Sequence, residues 1–318
     1  MSRSYPESVP TRTSSHRPSV DRPASEQSST HTHTNRSGPP RLDTCHRGDT
    51  AMNAFHQLHR PGEPFVLPCA WDVASGRLFA EAGHPAIGTT SLGVAAGIGA
   101  ADEDRATLTA TADLVGNMRR ALPETLLTCD FEDGYGDDPV AVVEILRGSL
   151  SNRQDDTLAV NGINIEDSAR GRLAAPEALA GKVRAIKDAF PDLFVNARID
   201  TYWTGEDNLG DTLERMRRYA DSGADGIFVP GDLDLDVITR IVDACPLPVN
   251  VLASPRFSRS QLAGAGAARI STGSLLYRTA ISAAVQSLEG LAGDRPAQTA
   301  NVLSYLAFSE RSTAQSSS

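Results

Sequence analysis

Residues 62–288 are predicted to fold as a single (β/α)8 barrel of the TIM type, and three observations carry that reading. Eight short apolar runs alternate with longer amphipathic stretches, polar side chains crowd the C-terminal ends of the runs, and the first run lacks a glycine-rich phosphate turn. The runs at 65–68, 86–90, 126–130, 162–166, 194–199, 226–229, 249–252 and 269–272 read as strands buried on both faces. Between them, 75–82, 104–120, 140–150, 176–190, 209–222, 234–244 and 259–264 read as helices, and several are closed by glycine, as at Gly83 and Gly223. Helical crossovers between doubly buried strands make a parallel sheet, and eight such units close into a barrel. A doubly wound nucleotide fold would place GxGxxG after the first strand, where Cys69-Ala70-Trp71-Asp72 stands instead.

A barrel of this kind takes ~250 residues, so a chain of 318 holds one catalytic domain plus tails. Residues 1–51 are rich in Ser, Thr, Arg, Pro and His, with too little apolar material to offset their conformational entropy. They are expected to be disordered, and their histidines His16, His31, His33 and His46 read as solvated. Glu7, Asp21, Glu26, Asp43 and Asp49 argue against a transit peptide. Met52 reads as a natural beginning, which would make the first 51 residues an upstream extension or a start-site error. The barrel domain is expected over 52–290, and 291–318 is expected to carry a C-terminal helix and a Ser-rich end frayed after about Phe308.

The formal net charge is -10, and an acidic surface disfavours nucleic acid and anionic membranes as partners. No apolar run approaches the ~18 residues of a membrane span, and Met1 is followed by no apolar signal region. Four cysteines, Cys45, Cys69, Cys129 and Cys245, form no CxxC pair and read as reduced thiols, so a cytoplasmic location is expected.

Catalytic residues of such barrels sit at the C-terminal strand ends. Those ends here carry Asp72, Thr89-Thr90-Ser91-Leu92-Gly93, Asp130-Phe131-Glu132, Asn164-Ile165-Glu166, Asn196-Ala197-Arg198, Asn250 and Ser271-Thr272. Asp130 and Glu132 are two apart on what reads as an extended segment, so their side chains would point the same way. Asp72 and Glu166 would approach from other strands. Unpaired acids this close repel one another, and a hard divalent cation resolves the repulsion. With no His or Cys cluster beside them, zinc is disfavoured and Mg2+ is expected, with Mn2+ as an alternative ion. Asp133, Asp137, Asp138 and Asp167 read instead as salt-bridging or helix-capping acids. Asp130 and Glu166 read as metal ligands, since neither has a basic neighbour close in sequence. Arg198, emerging from a strand, needs an anion. Glu166 or Asp200 would serve structurally, and a substrate carboxylate would serve functionally. Ser91 to Gly93 read as a small-residue loop whose free amides suit a carboxylate or phosphate.

In order along the chain, Pro68-Cys69-Ala70-Trp71-Asp72-Val73-Ala74-Ser75, Thr89-Thr90-Ser91, Asp130-Phe131-Glu132-Asp133-Gly134-Tyr135-Gly136, Gly162-Ile163-Asn164-Ile165-Glu166-Asp167-Ser168 and Asn196-Ala197-Arg198 together resemble the isocitrate lyase/phosphoenolpyruvate mutase superfamily. The resemblance spans about Phe55 to Ala284. It implies an Mg2+-dependent barrel, with Asp130 as the direct metal ligand and Asp72, Glu132 and Glu166 holding water on the metal. It further implies Ser91, Leu92 and Gly93 as a carboxylate-binding loop, Arg198 as the substrate-binding arginine, and a homodimer or homotetramer that exchanges a C-terminal helix between barrels. One departure matters. The gating loop of the lyase and mutase branches, with its Lys, Cys and His, is replaced by Ser168-Ala169-Arg170-Gly171-Arg172-Leu173. The lyase acid/base cysteine is therefore missing, and Cys69 and Cys129 read as packing residues.

The expected function is an Mg2+-dependent enzyme acting on a small 2-oxo or 2-hydroxy (di)carboxylate through a metal-stabilised enolate, as a C–C lyase or decarboxylase. Its catalytic residues would be Arg198, Glu166 and Asp72, and its substrate-binding residues Ser91, Leu92, Gly93, Arg198 and Asn250. The alternative within the superfamily is P–C bond formation or hydrolysis on a phosphonopyruvate-like substrate. An alternative of another class is a non-catalytic binding barrel, against which the converging carboxylates argue.

Overall fold

The computed structural model describes residues 50–102, 104–152, 157–296 and 302–313. The expected disorder of residues 1–51 therefore lies almost wholly outside the described residues, as does the chain after Thr313. The parallel strands are β1 (Phe65–Leu67), β2 (Cys69–Ala70), β3 (Ala86–Thr89), β4 (Leu126–Asp130), β5 (Gly162–Glu166), β8 (Phe194–Arg198), β9 (Gly226–Phe228), β10 (Val249–Leu252) and β11 (Arg269–Ser271). A small antiparallel pair, β6 (Ser168–Ala169) and β7 (Arg172–Leu173), lies between β5 and β8 in the chain.

The sheet order is β1-β11-β10-β9-β8-β5-β4-β3-β2. β1 and β2 are one strand interrupted at Pro68, whose ring leaves no N–H for a ladder. Its first half pairs with β11 and its second with β3, so the interrupted strand closes the sheet into a (β/α)8 barrel. The crossover helices are α2 (Val73–Glu81), α3 (Ser91–Ile98), α4 (Leu108–Ala121), α5 (Pro139–Leu150), α6 (Pro176–Ala189), α7 (Leu209–Asp221), α8 (Leu235–Ala244) and α9 (Arg259–Gly264). The remaining helices are α1 (Thr50–Gln57), α10 (Leu275–Ala292) and α11 (Tyr305–Thr313).

Alternation along each strand sorts the core into two parts. Ile87, Leu127, Cys129, Ile163, Ile165, Val195, Ala197, Ile227, Val249, Val251 and Ile270 face outward into the large apolar layer beneath the helices. Phe65, Leu67, Ala86 and Phe194 face inward and form the barrel floor with Phe55 of α1. His59, just past α1, stacks on Phe194 with ring centroids 4.0 Å apart and meets Phe55 and Phe65 edge-on. The floor is thus a plug of aromatic rings, and the polar chemistry is left to the opposite end.

Three expectations are corrected. α3 is a helix where Ser91 to Gly93 were read as a loop, because Ala- and Gly-rich 91–98 shows little helical periodicity. α4 begins at Leu108 rather than at 104, since Arg105 takes a left-handed φ of 57° that no helix tolerates. The chain does not fray at Phe308: α11 continues to Thr313, tied to α2 by an Arg311–Glu81 ion pair. No helix among the described residues is long and apolar enough to cross a membrane.

Candidate active site

β4 delivers Asp130 to the carboxyl rim. Its backbone N–H donates to Thr89 Oγ1 at 2.9 Å, and its Oδ2 accepts the Ser91 N–H at 3.3 Å. Ser91, Leu92 and Gly93 form the first turn of α3 rather than a loop, with Thr90 as an N-cap that makes no side-chain capping bond. The turn packs tightly, since a Cβ on Gly93 would lie 2.8 Å from Thr90 and 2.9 Å from Trp71. The helix start therefore aims backbone amides at the rim beside Asp130.

Beyond Asp130 the strand stops. Glu132, Gly134 and Tyr135 adopt φ of 45°, 90° and 58°, and such non-glycine conformations cost about 1–3 kcal/mol each and gather at functional sites. The expectation that Glu132 continues an extended strand alongside Asp130 is thus corrected. Its carboxylate is buried and held by Thr107 Oγ1, by the Tyr135 hydroxyl at 3.3 Å and by the Arg105 N–H at 3.2 Å. Burial raises the Glu132 pKa; the Thr107 hydrogen bond opposes this, and the nearby charges of Asp130 and Asp102 add to it.

Asp102, which the sequence reading did not single out, lies near enough to add to the Glu132 shift. It stands in an acidic run, 102–104, just before the helix read at 104–120, and only the fold brings it toward Glu132. Asp72 takes another place: it is exposed and caps α2, accepting the Ser75 N–H at 2.7 Å in a reciprocal capping box. The acids read as structural do pair or cap. Asp133 and Asp137 bind Arg105, Asp138 caps α5, and Asp167 meets Arg215 at 3.0 Å.

Glu166 and Arg198 are register partners on β5 and β8, and their side chains meet at 2.6 Å. The basic partner that Glu166 lacks in sequence is therefore supplied by the next strand. Arg198 Nε also reaches Asp200 Oδ1 at 2.6 Å, and its guanidinium lies 5.5 Å from the Trp203 ring and 5.9 Å from the Phe228 ring. Burial works against its charge, but Asp200, Glu166 and Asp130 together outweigh burial and raise its pKa.

A buried polar layer underlies the rim. Asn250 Oδ1 accepts from Ser271 Oγ at 3.1 Å, so the expected substrate-binding Asn250 is an interior residue. Arg269, also missed in the sequence, crosses the lumen from β11 to Asn164 Oδ1 on β5 at 3.0 Å and donates to Ser271 Oγ. Asn196 donates to the same Asn164 oxygen. Burial lowers the Arg269 pKa to about 10, partly offset by Cys69 and Asp130. Cys69 and Cys129 are buried free thiols, and burial raises the pKa of both.

Where the gating loop is expected, β6 and β7 form a tight hairpin turned through Arg170 and Gly171 at φ of 52° and 70°. Two successive left-handed residues are the geometry of a two-residue hairpin turn.

Asp102, Asp130, Glu132 and Glu166 offer oxygen alone, the donor type hard cations take. Among the described residues no group of three or more His, Cys, Asp or Glu stands close enough to hold an ion directly. The arrangement fits Mg2+, which keeps several waters and needs few direct protein ligands.

A closed parallel barrel with acids and an arginine at its carboxyl rim defines a (β/α)8 architecture of the enzyme kind. The family model for phosphoenolpyruvate phosphomutase matches residues 55–292, and the chain belongs to that family, within the isocitrate lyase/phosphoenolpyruvate mutase superfamily of lyases, mutases and hydrolases. An uncharacterised protein of Mycobacterium tuberculosis is 41% identical over 74% of this chain and 87% of its own. The phosphoenolpyruvate phosphomutase of Streptomyces hygroscopicus is 30% identical over 54% of this chain and 56% of its own. The 2-methylisocitrate lyase of Bacillus subtilis is 26% identical over 61% and 64%. A solved Burkholderia cenocepacia barrel, described as of phosphonomutase type, superposes with a TM-score of 0.70 at 33% identity, covering 76% of this chain and all of that one.

Proposed function

We propose that the chain is an Mg2+-dependent lyase or decarboxylase for a small 2-oxo or 2-hydroxy dicarboxylate. The observation that carries this reading is Asp130 held against the first turn of α3 at the carboxyl rim, on the strand beside the Glu166–Arg198 pair of β5 and β8. Asp130 would hold Mg2+, or Mn2+, with Glu132, Glu166 and Asp102 around it, and the bound ion supplies Lewis-acid stabilisation of developing negative charge. Asp102 takes the place first given to Asp72, whose carboxylate is engaged in capping α2.

The chain's own groups have separable tasks. The first-turn amides of α3, at Leu92 and Gly93, receive a substrate carboxylate. Arg198 stabilises negative charge as the bond beside the 2-oxygen breaks, and Glu166 fixes its Nη1. Asn250 acts from below, steadying the polar layer through Ser271. The assembly is a homodimer or homotetramer. α10 buries none of its residues and exposes Ile281, Val285 and Leu288 along one face, as a helix covered by a second subunit would.

A lyase is favoured over P–C chemistry by where the nearby cations point. A transferring phosphoryl group asks for several cations, yet Arg105 and Lys182 both turn to Asp133. The test is a panel of oxaloacetate, 2-methylisocitrate, alkylmalates and phosphonopyruvate with Mg2+, followed by pyruvate and phosphate release. Turnover of a dicarboxylate supports the reading, and phosphonopyruvate as the sole substrate replaces it with P–C chemistry. Inertness toward the whole panel leaves the binding-barrel reading in its place.

A further inference from the structure

We infer that Asp200 is a positioning residue for Arg198, the inner end of a buried relay that begins on α7; the functional side of this inference rests on the reading of Arg198 above. The Asp200 side chain is fully buried, and each of its polar atoms is engaged. Oδ1 takes Arg198 Nε at 2.6 Å and Oδ2 takes the Ser168 hydroxyl at 2.5 Å. Its backbone N–H donates to Asp167 Oδ1 at 2.9 Å, and its carbonyl accepts from the Thr204 N–H and hydroxyl. Asp167 is pinned in turn by the Tyr219 hydroxyl at 2.7 Å and by Arg215 Nη1 at 3.0 Å, both from α7.

The geometry exceeds what a buried carboxylate needs for a countercharge. One carboxylate on Nε and another on Nη1 fix the guanidinium plane, because the fork is rigid. The plane so fixed lies over Trp203, which is 49% exposed. Without Asp200, Glu166 alone holds Arg198, and a single contact lets the fork rotate about it. The same carboxylate binds Ser168 of the β6–β7 hairpin, so the hairpin and the arginine share one anchor. Asp200 thereby couples the segment standing in the gating-loop position to Arg198.

Trp203 reports on this without any substrate. The chain holds 2 tryptophans, so Trp71→Phe leaves Trp203 as the single tryptophan, excited selectively at the red edge of the absorption band. In that background Asp200→Asn keeps the shape of the side chain and removes its charge. The expected result is a changed Trp203 emission maximum and near-ultraviolet dichroism in ligand-free protein, together with oxalate binding weakened ~10-fold or more in Mg2+. Tyr219→Phe, at the far end of the relay, should move both readouts in the same direction by a smaller factor. On any substrate the parent turns over, Asp200→Asn should lower kcat/KM ~10²-fold, the scale of losing one preorganised donor. A folded Asp200→Asn protein with parental Trp203 spectra and oxalate affinity within twofold overturns the inference. Should Asp200→Asn fail to fold, Ser168→Ala removes only the Oδ2 donor and is read the same way, with parental spectra again overturning it. If the parent turns over nothing, the functional reading fails, and the ligand-free Trp203 spectra still decide the positioning role.

Discussion

Replacing His59 with Phe should flatten the acid side of the protein's stability profile. His59 lies in the barrel floor, stacked on Phe194, with Nδ1 hydrogen-bonded to the Phe55 carbonyl at 2.9 Å. Burial lowers its pKa from 6.5 to about 3, helped by the positive charge of Arg269 and opposed by the Phe55 hydrogen bond. A histidine with a depressed folded pKa favours the native state above the unfolded pKa. That advantage is lost as pH falls below 6.5, because the unfolded chain binds the proton and the folded chain does not. With the values 6.5 and about 3, the two-state linkage expression gives a loss of roughly 2 kcal/mol between pH 7.5 and pH 5. The loss at pH 5 is set almost wholly by the unfolded pKa, so any folded value well below 5 gives the same figure. Phe keeps the aromatic stack and removes the proton site. Urea unfolding at pH 7.5, 6 and 5, followed by far-ultraviolet dichroism, should show the parent losing ~2 kcal/mol more than His59→Phe. Parallel pH profiles for the two proteins would refute the reasoning.

Arg198→Lys should lower kcat/KM by about 10², equivalent to roughly 2.7 kcal/mol of transition-state stabilisation, while the melting temperature changes little because the charge beside Glu166 and Asp200 remains. A variant with parental kcat/KM would remove Arg198 from the active site. Activity should vanish on exhaustive EDTA treatment and return with Mg2+ or Mn2+, and full turnover by metal-free protein would sink the metal assignment. Truncation before Met52 should leave melting temperature and activity nearly unchanged, since Phe55 and His59 of the floor are retained; a large drop in melting temperature would show that the removed residues pack on the barrel. Sedimentation at micromolar concentration should give a dimer or tetramer, and a stable monomer would leave the apolar face of α10 unexplained.

The barrel was legible in the sequence because it rests on local patterns. Strands buried on both faces read as continuous apolar runs, and β4, β5 and β10 begin and end at the expected residues. Glycine-closed helices set the rhythm between them, and the order of motifs indicated the superfamily. Asp130, Glu166 and Arg198 were singled out as candidates because a charged side chain ending an apolar strand stands out along the chain. The elements that escaped have physical reasons. α3 is too rich in Ala and Gly to show an apolar stripe, and the left-handed turn at Glu132 depends on contacts with Thr107, Tyr135 and Arg105 contributed by other segments. Which acids converge is likewise a tertiary matter. Asp72 caps α2 through a local box with Ser75, whereas Asp102 comes near Glu132 only when the chain folds. Arg269 looks like an ordinary strand-end arginine until closure sets β11 across the lumen from β5, where its guanidinium meets Asn164. The sequence by itself determined the periodicity, the strand ends and the residue types gathered there. The tertiary structure alone decided the partners of the charges at the barrel rim, because their pairing depends on distances between strands that the linear order does not encode.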